Sequence, residues 1–244
     1  MNMEWKVIIE SNNSLEINVN KEIRDIVTKK PKFINSKGIV YIGNHSYSVE
    51  SFYIKYFLSE AIEDFKKETT LPNEEWIDIA DFPFYQISSL GRVRRLPSII
   101  NIDSIERVTK GKSGIIKSHI SAIKGKVVKP QKVGHPDIEG NFRLGVVLSK
   151  PGISKTFLLY RLVAEAFIPN PNNLPEVNHK NRDISDNTVD NLEWVSKQEN
   201  IDHLHIERTS LIGLYNLSLK EGLSVSAMLN KLMRSYLTMQ IACS

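Results

Sequence analysis

The sequence predicts an α+β protein built from several small modules. Two observations predict this class: short segments of alternating apolar and polar residues recur along the first two thirds of the chain, and segments with apolar residues three or four positions apart lie between and after them. With 244 residues, 41% of them hydrophobic, the chain can bury a normal core as one large domain or as two to three small ones.

Composition sets limits on the compartment and on the kind of site. The single cysteine, Cys243, allows no internal disulfide and no cysteine-rich zinc site. The N-terminus shows no secretory signal pattern, and no segment approaches the 18 apolar residues of a membrane span. We therefore expect a soluble cytoplasmic protein with no membrane partner.

Positive charge is concentrated in the middle of the chain. Residues 91 to 161 contain fifteen Lys and Arg residues against four Asp and Glu residues, a net charge of +11, whereas the rest of the chain carries −7. A basic span with acidic flanks is typical of a segment that follows nucleic acid phosphates. A solubilising surface has the same composition, so charge alone leaves both interpretations open.

Residues 1 to 70 are predicted to form an N-terminal αβ module of unknown role. WKVIIE, LEINV and GIVYI alternate as strands do, and SVESFYIKYFLSEAIEDFKKE then follows a helical pattern with Phe52, Tyr56, Ile62 and Phe65 near one face. The order of elements parallels that of residues 142 to 167, so a degenerate copy of that later unit is an alternative. Pro72 and Asn73 mark the boundary.

Residues 74 to 150 are predicted to form a basic, β-rich region. WIDI, FYQIS, GRVRRL, KVVKP and FRLGVVLS are short strand candidates separated by turn signals. Ile99 to Lys124 is rich in Ser, Lys and Gly and shows little periodicity. This stretch is interpreted either as a long loop that faces DNA or as a poorly ordered insert.

Residues 156 to 206 form the third predicted module, and residues 209 to 240 a C-terminal helix pair. TFLLYRLVAEAFI carries a helical stripe of Leu158, Leu162, Ala166 and Phe167 that ends at Pro169. The helix pair is divided at Gly222, a candidate C-cap, and restarts at Ser224, a candidate N-cap. The pair either binds DNA or packs as a structural element.

The stretch EVNHKNRDISDNTVDNLEWVSKQENIDHLHI carries the chemistry. Asn178 and His179 end a short strand, turn-forming residues follow, LEWV makes a second strand, and Ser196 with Glu199 form a capping box that starts a helix. This order brings Asn178, His179 and Asn200 to one end of a hairpin and helix. Imidazole titrates near neutral pH, so His179 can act as a general base. Asparagine oxygens suit Mg²⁺ or Mn²⁺ better than zinc.

The segment RLVAEAFIPNPNNLPEVNHKNRDISDNTVDNLEWVSKQENIDH resembles the HNH homing endonucleases of phages and mobile introns. The resemblance covers roughly residues 160 to 203 and implies a ββα-metal fold. It implies His179 as the general base, Asn191 as the residue that holds the loop, and Asn178 and Asn200 as ligands of one divalent ion. Tyr160 stands where relatives usually show histidine, at a position outside the catalytic set.

A second segment, EEWIDIADFPFYQISSLGRVRRL, is similar to the nuclease-associated modular DNA-binding motif that commonly precedes HNH modules. Gly91 permits a tight turn that would let nearby arginines approach phosphates or base edges. The predicted DNA-binding residues are Arg92, Arg94, Arg95 and Arg161.

The resulting functional hypothesis is a site-specific homing DNA endonuclease, encoded by a phage or mobile element and acting in a bacterial host. It would cut double-stranded DNA with one Mg²⁺ or Mn²⁺ ion and no small-molecule cofactor, leaving 5′-phosphate and 3′-hydroxyl ends, as the resemblance implies. One active site per chain favours nicking. The alternatives are a catalytically inactive DNA-binding protein that keeps the HNH frame, and a restriction or packaging-associated nuclease.

Overall fold

The structure is a computed structural model that describes residues 4–102, 105–109, 112–116, 119–136, 140 and 142–232, with the side chains of residues 102–119 and 201–211 left out of the description. Cys243 and the last part of the predicted C-terminal helix lie outside the described residues. Helices and small antiparallel sheets alternate along the chain, so the predicted α+β class is confirmed.

The chain divides into two compact units. The first unit comprises Met1–Ile168 together with Asp183–Leu192, and the second comprises Pro169–Arg182 together with Glu193–Ser244. The loop at 183–192 is therefore grouped with residues far earlier in the sequence and not with its immediate neighbours.

The N-terminal module contains the five strands that begin the chain and two helices. Its elements are β1 (Trp5–Ile8), β2 (Leu15–Asn18), β3 (Ile23–Asp25), β4 (Ile39–Ile42), β5 (His45–Ser48), α1 (Val49–Tyr56) and α2 (Leu58–Thr69). The sequence predicts one helix where the structure has two, because Phe57 leaves the helical conformation at φ −134° and is fully buried in the core of this module. Burial of the Phe57 ring thus overrides the helical periodicity on either side.

Between Ile99 and Lys124, where the sequence predicts a loop or a poorly ordered insert, the described residues form two antiparallel strand pairs, which we call the ribbon. Its strands are β9 (Ser98–Ile102), β10 (Ile105–Thr109), β11 (Lys112–Ile116) and β12 (His119–Ile123), with β9 paired to β12 and β10 to β11. Ile99 and Ala122 pack against the core of the N-terminal module. The β-branched residues of this stretch favour strands although they do not alternate with polar residues.

Two further sheets and a helix complete the first unit. They consist of β6 (Trp76–Asp78), β7 (Tyr85–Ser88), β8 (Val93–Arg95) and β13 (Lys126–Val128) in the order β13-β8-β7-β6, then β14 (Gln131–Val133), β15 (Arg143–Lys150) and β16 (Ile153–Leu158) in chain order, followed by α3 (Leu159–Phe167). The predicted helical stripe started at Leu158, but residues 156–158 belong to β16, where they pair with residues 145–147. The helix ends before Pro169, as predicted.

The second unit contains a two-stranded sheet of β17 (Glu176–His179) and β18 (Leu192–Val195), and the helix α4 (Lys197–Lys220). The predicted capping box at Ser196 and Glu199 is present. The sequence predicts a separate helix from residue 209, but this segment is the second half of α4. Its predicted end is present, because Gly222 has φ +65° and the amide of Leu223 donates to Ser218 O at 2.9 Å. A second helical segment starts at residue 225, with the Ala227 amide bound to Ser224 Oγ at 3.2 Å.

None of the helices that the structure describes is both long enough and apolar enough to span a membrane.

An arginine in the interior joins α2 to the sheet of β6, β7 and β8. Arg94 is 3% exposed, and its guanidinium carbon lies 4.0 Å from the centroid of the Trp76 ring. Its nitrogens donate to Gln86 Oε1 at 2.9 Å, Lys66 O at 3.3 Å, Thr69 Oγ1 at 3.0 Å and Thr70 Oγ1 at 2.9 Å. Burial lowers the pKa of Arg94, and the nearby Glu74 carboxylate opposes that shift.

We expect Arg94→Ala to lower the free energy of unfolding by about 3 kcal/mol, because it removes a buried hydrogen bond to Gln86 and three partly buried ones to residues of and beside α2. Chemical denaturation measures this difference. Arg143→Ala, which removes an exposed arginine of β15, is the matched control and should change stability by less than about 0.5 kcal/mol. Equal stabilities of the two variants would contradict a structural role for Arg94.

Candidate active site

Strand β17 ends with the residues on which the predicted chemistry depends. His179 is 7% exposed, and Asn178 beside it is half-buried. The carbonyl oxygen of His179 accepts a hydrogen bond from the Arg182 amide at 3.0 Å, with Arg182 in a left-handed conformation at φ +69°. The chain therefore turns immediately after His179, which fixes this residue at the end of its strand.

The neighbouring strand β18 brings a carboxylate to Asn178 that the sequence reasoning missed. Asn178 Nδ2 donates to Glu193 Oε1 at 2.8 Å. An ionised carboxylate can only accept hydrogen bonds, so it takes the amide nitrogen and leaves Asn178 Oδ1 directed elsewhere. Glu193 thus sets which end of the Asn178 amide can serve as a ligand. The sequence held a signal for this contact, since antiparallel pairing of EVNH with LEWV places polar residues of the two strands side by side.

Asn200 lies in the first turn of α4, just after the capping box. Its amide nitrogen donates to Ser196 O at 3.1 Å, and its side chain is half-buried. Helix α4 contacts strand β17. The strand of Asn178 and His179 and the helix of Asn200 are therefore neighbours, as the strand-loop-strand-helix order predicts. The side chain of His203, a further candidate in the sequence, lies outside the described residues.

The loop between β17 and β18 is held by its own asparagine and aspartate side chains. Asn191 is 7% exposed, its Nδ2 donates to Asp186 O at 2.8 Å, and its backbone amide donates to Thr188 O at 3.1 Å. Asn187 is 4% exposed and donates to Ser185 O at 2.9 Å. Asn191 thus bonds the loop backbone through both its side chain and its amide. Asn191 belongs to the first unit, whereas Asn178, His179 and Asn200 belong to the second.

The donor atoms of the second unit fit a hard divalent ion better than zinc. Amide oxygens of Asn178 and Asn200 and the Glu193 carboxylate are oxygen ligands of the kind that Mg²⁺ and Mn²⁺ prefer. The hydrogen bond to Glu193 supports this fit because it frees the carbonyl end of the Asn178 amide. Within the described side chains, no group of three or more His, Cys, Asp or Glu residues is arranged to hold a metal ion.

The arginines predicted to contact DNA differ in exposure. Arg94 is buried, so the structure favours the structural role described above over a direct contact with a phosphate. Arg92 is half-buried and its Nη1 donates to Oε2 of the buried Glu74 at 2.8 Å. Arg95 and Arg161 are half-buried. Arg94 and Arg95 are neighbours in β8 and point to opposite faces of the sheet, and Arg94 lies on the face that contacts the end of α2.

Exposed cations of the same region lie on and beside β13, β14, β15 and β16. They are Lys124, Lys126, Lys129, Lys132, Arg143 and Lys155. Strand β13 is an edge strand of its sheet, and Lys126 pairs in register with Arg95 of β8. We call these six residues the basic edge. All six belong to the basic span of the sequence, but charge density along a sequence does not show which residues face solvent.

Two family models match the chain. The NUMOD4 motif matches residues 74–132, and an HNH endonuclease model matches residues 158–201. The first range contains β6 to β8 and the ribbon. The second contains α3, β17, β18 and the start of α4.

Curated relatives match over short segments. An uncharacterized HNH endonuclease of Acanthamoeba polyphaga mimivirus is 38% identical over 77 residues, which is 32% of this chain and 23% of that protein. A second uncharacterized HNH endonuclease of the same virus is 49% identical over 47 residues, or 18% of this chain and 12% of that protein. The match thus spans less than a quarter of the length of either relative.

Among solved structures, the HNH homing endonuclease I-HmuI matches 55% of this chain and 60% of its own chain at 26% identity, with a TM-score of 0.36. That score is too low to establish a common overall arrangement. Both resemblances given by the sequence are nevertheless confirmed by the family models, one for each segment. The chain therefore carries a NUMOD4 motif upstream of an HNH endonuclease domain.

Proposed function

We propose that this protein is a site-specific DNA endonuclease of the homing type that hydrolyses a phosphodiester bond with one divalent metal ion and a histidine general base. The observation that carries the proposal is the arrangement of the second unit. Strand β17 ends at Asn178 and His179, and Glu193 of β18 binds Asn178. Helix α4 contacts β17 and has Asn200 in its first turn.

Asn178 and Asn200 are the proposed metal ligands. A bound Mg²⁺ or Mn²⁺ ion would neutralise the charge that builds on the phosphoryl oxygens and on the leaving 3′ oxygen. The protein supplies amide oxygens as ligands. Glu193 accepts a hydrogen bond from Asn178 Nδ2, which leaves Asn178 Oδ1 available to the ion. Because the ligand pair is neutral, DNA phosphate has to complete the site, so ion binding and DNA binding should reinforce each other.

His179 is the proposed general base. A neutral imidazole nitrogen accepts the proton of the attacking water, and the unperturbed pKa of histidine lies close to neutral pH. Burial of His179 and the turn that follows it restrict where the ring can lie. Asn191 is proposed to keep the following loop in shape through its hydrogen bond to Asp186 O.

The basic edge, together with Arg95 and Arg161, is the proposed docking surface for double-stranded DNA. Exposed lysines bind phosphates without regard to sequence and position the duplex. Arg92 and Arg94 support the sheet that carries part of this surface, because their guanidinium groups lie at 5.7 and 4.0 Å from the centroid of the Trp76 ring. With one active site per chain, the expected product is a nick with a 5′-phosphate and a 3′-hydroxyl.

Cleavage of a supercoiled plasmid that carries the gene's own locus tests the activity. We expect wild-type protein with Mg²⁺ or Mn²⁺ to nick the plasmid, and His179→Ala to lower the rate by about 1000-fold because the base is lost. His135→Ala, which removes an exposed histidine, is the control and should cut at the wild-type rate. DNA binding without cleavage by the wild-type protein would instead favour a catalytically inactive HNH-framed DNA-binding protein.

Substitution of Glu193 tests the metal site without relying on activity. Glutamine can donate to Asn178 Oδ1 as easily as it accepts from Nδ2, so Glu193→Gln should weaken Mn²⁺ binding by about tenfold. Electron paramagnetic resonance of free Mn²⁺, recorded in the presence of uncleavable DNA, measures the affinity. Glu165→Gln makes the same chemical change at an exposed carboxylate and should have no effect. Equal Mn²⁺ affinities for Glu193→Gln and wild type would show that this contact does not orient a ligand.

The salt dependence of DNA affinity tests the basic edge. If Lys126 and Lys129 each contact one phosphate, the double alanine variant should lower the slope of log K against log salt by about 1.8. Lys37→Ala, an exposed lysine of the N-terminal module, should leave the slope unchanged. If the double variant and wild type have equal slopes, Lys126 and Lys129 do not contact DNA phosphates.

A further inference from the structure

We propose that Gly91 is a positioning residue for cleavage, because the turn it closes in the NUMOD4 motif holds the loop at 183–191 of the HNH domain in place. This proposal deepens the proposed function and rests on it. Gly91 and the loop both belong to the first unit, so their contact lies within one compact body.

Three hydrogen bonds hold the turn between β7 and β8 in its conformation. The Ser88 amide donates to Arg92 O at 2.8 Å and the Gly91 amide donates to Ser88 O at 3.0 Å. The side chain of Ser88 also accepts from the Arg92 amide at 3.0 Å. Gly91 has φ +69°, the left-handed conformation that closes a three-residue hairpin loop. The turn therefore presents the same surface irrespective of what binds to it.

Ser89 connects this turn to the nuclease loop. The Ser89 amide donates to Glu75 O at 2.9 Å, and Ser89 Oγ accepts from the Glu75 amide at 3.1 Å. With its position fixed in this way, the Ser89 carbonyl oxygen accepts from the Val189 amide at 2.8 Å. Val189 begins the 3-10 helix at Val189–Asn191, which ends with the asparagine that bonds the loop backbone. The hydrogen bond thus holds the loop two residues before Asn191.

Gly91 permits this contact because it has no side chain. A Cβ atom at position 91 would lie 2.7 Å from Asn187 O and 3.0 Å from Asn187 Cβ. The nearer atom belongs to the backbone, so it cannot yield as the tip of a flexible side chain would. Asn187 is also buried and tied to Ser185 O at 2.9 Å. Any larger residue at position 91 must push the loop away from the turn.

A displaced loop matters for cleavage because the loop lies between the two strands of the site in the chain. The strand before it ends at His179, and the strand after it contains Glu193. A misplacement of about 1 Å can lower a rate by about 100-fold, even when it begins far from the reacting atoms. The NUMOD4 motif would then contribute to the chemical step as well as to DNA binding.

The test compares Gly91→Ala with Gly38→Ala. Gly38 has the same φ of +69°, but a Cβ atom there would meet nothing within 4 Å, so the two variants share the backbone strain and differ only in the close approach. We expect Gly91→Ala to lower the single-turnover cleavage rate by about 100-fold at wild-type DNA affinity. Gly38→Ala should cut at the wild-type rate.

A second variant keeps the proposal testable if Gly91→Ala fails to fold. Val189→Pro removes the amide that donates to Ser89 O, and the backbone accepts proline because Val189 starts a 3-10 helix after Thr188 at ψ 147°. We expect cleavage to fall by about tenfold with DNA affinity unchanged. Hydrogen exchange of the wild-type Val189 amide should be slow, like that of the amides in β7 and β8.

Three results would overturn the proposal. They are wild-type cleavage by folded Gly91→Ala, an equal loss of DNA affinity and cleavage, and fast exchange of the wild-type Val189 amide. The exchange measurement needs no activity, so it tests the contact even if the wild-type protein does not cut DNA. Slow exchange in a protein that does not cleave would contradict the proposed function and leave the contact between turn and loop established.

Discussion

The burial of one guanidinium group constrains the first unit more than any other interaction described above. Arg94 lies inside the protein against Trp76, and it binds the end of α2 on one side and Gln86 of β7 on the other. A charge without water must find such partners or destabilise the fold. The same hairpin of β7 and β8 that carries Arg94 also presents Ser89 and Gly91 to the nuclease loop. This hairpin therefore contacts the end of α2 through Arg94 and the loop at 183–191 through Ser89 and Gly91.

This arrangement separates two groups among the cations of the basic span whose side chains the structure describes. Arg92 and Arg94 are used within the protein, one paired with Glu74 and the other surrounded by side-chain and backbone oxygens. The basic edge faces solvent and is available for phosphates. Net charge counts both groups equally, although only the second can exchange its counterions for DNA. A protein that binds DNA through this edge would accordingly show a smaller salt dependence than its +11 span suggests.

The sequence predicts the local features of the site well because they depend on nearby residues. The capping box at Ser196 and the glycine cap at Gly222 are short-range patterns, and both are present. Glu193 and Gly91 are different, since their roles come from a cross-strand pairing and from contact with residues about a hundred positions away. Likewise, Phe57 interrupts a helix because its ring is buried in the core of the N-terminal module. Ile99 is predicted to lie in a loop, but it belongs to β9 and packs against the same core. Contacts between residues far apart in the sequence are not visible in periodicity, and such contacts decided each of these cases.

The origin of the oxygen in the product tests the central claim most directly. If His179 activates water for attack on phosphorus, cleavage in water enriched in oxygen-18 should place the heavy isotope in the 5′-phosphate and leave the 3′-hydroxyl unlabelled. Mass spectrometry of the ends at the cut site in the gene's own locus gives this result. A 5′-hydroxyl paired with a 3′-phosphate, or an unlabelled 5′-phosphate, would contradict hydrolysis by the site that ends at His179.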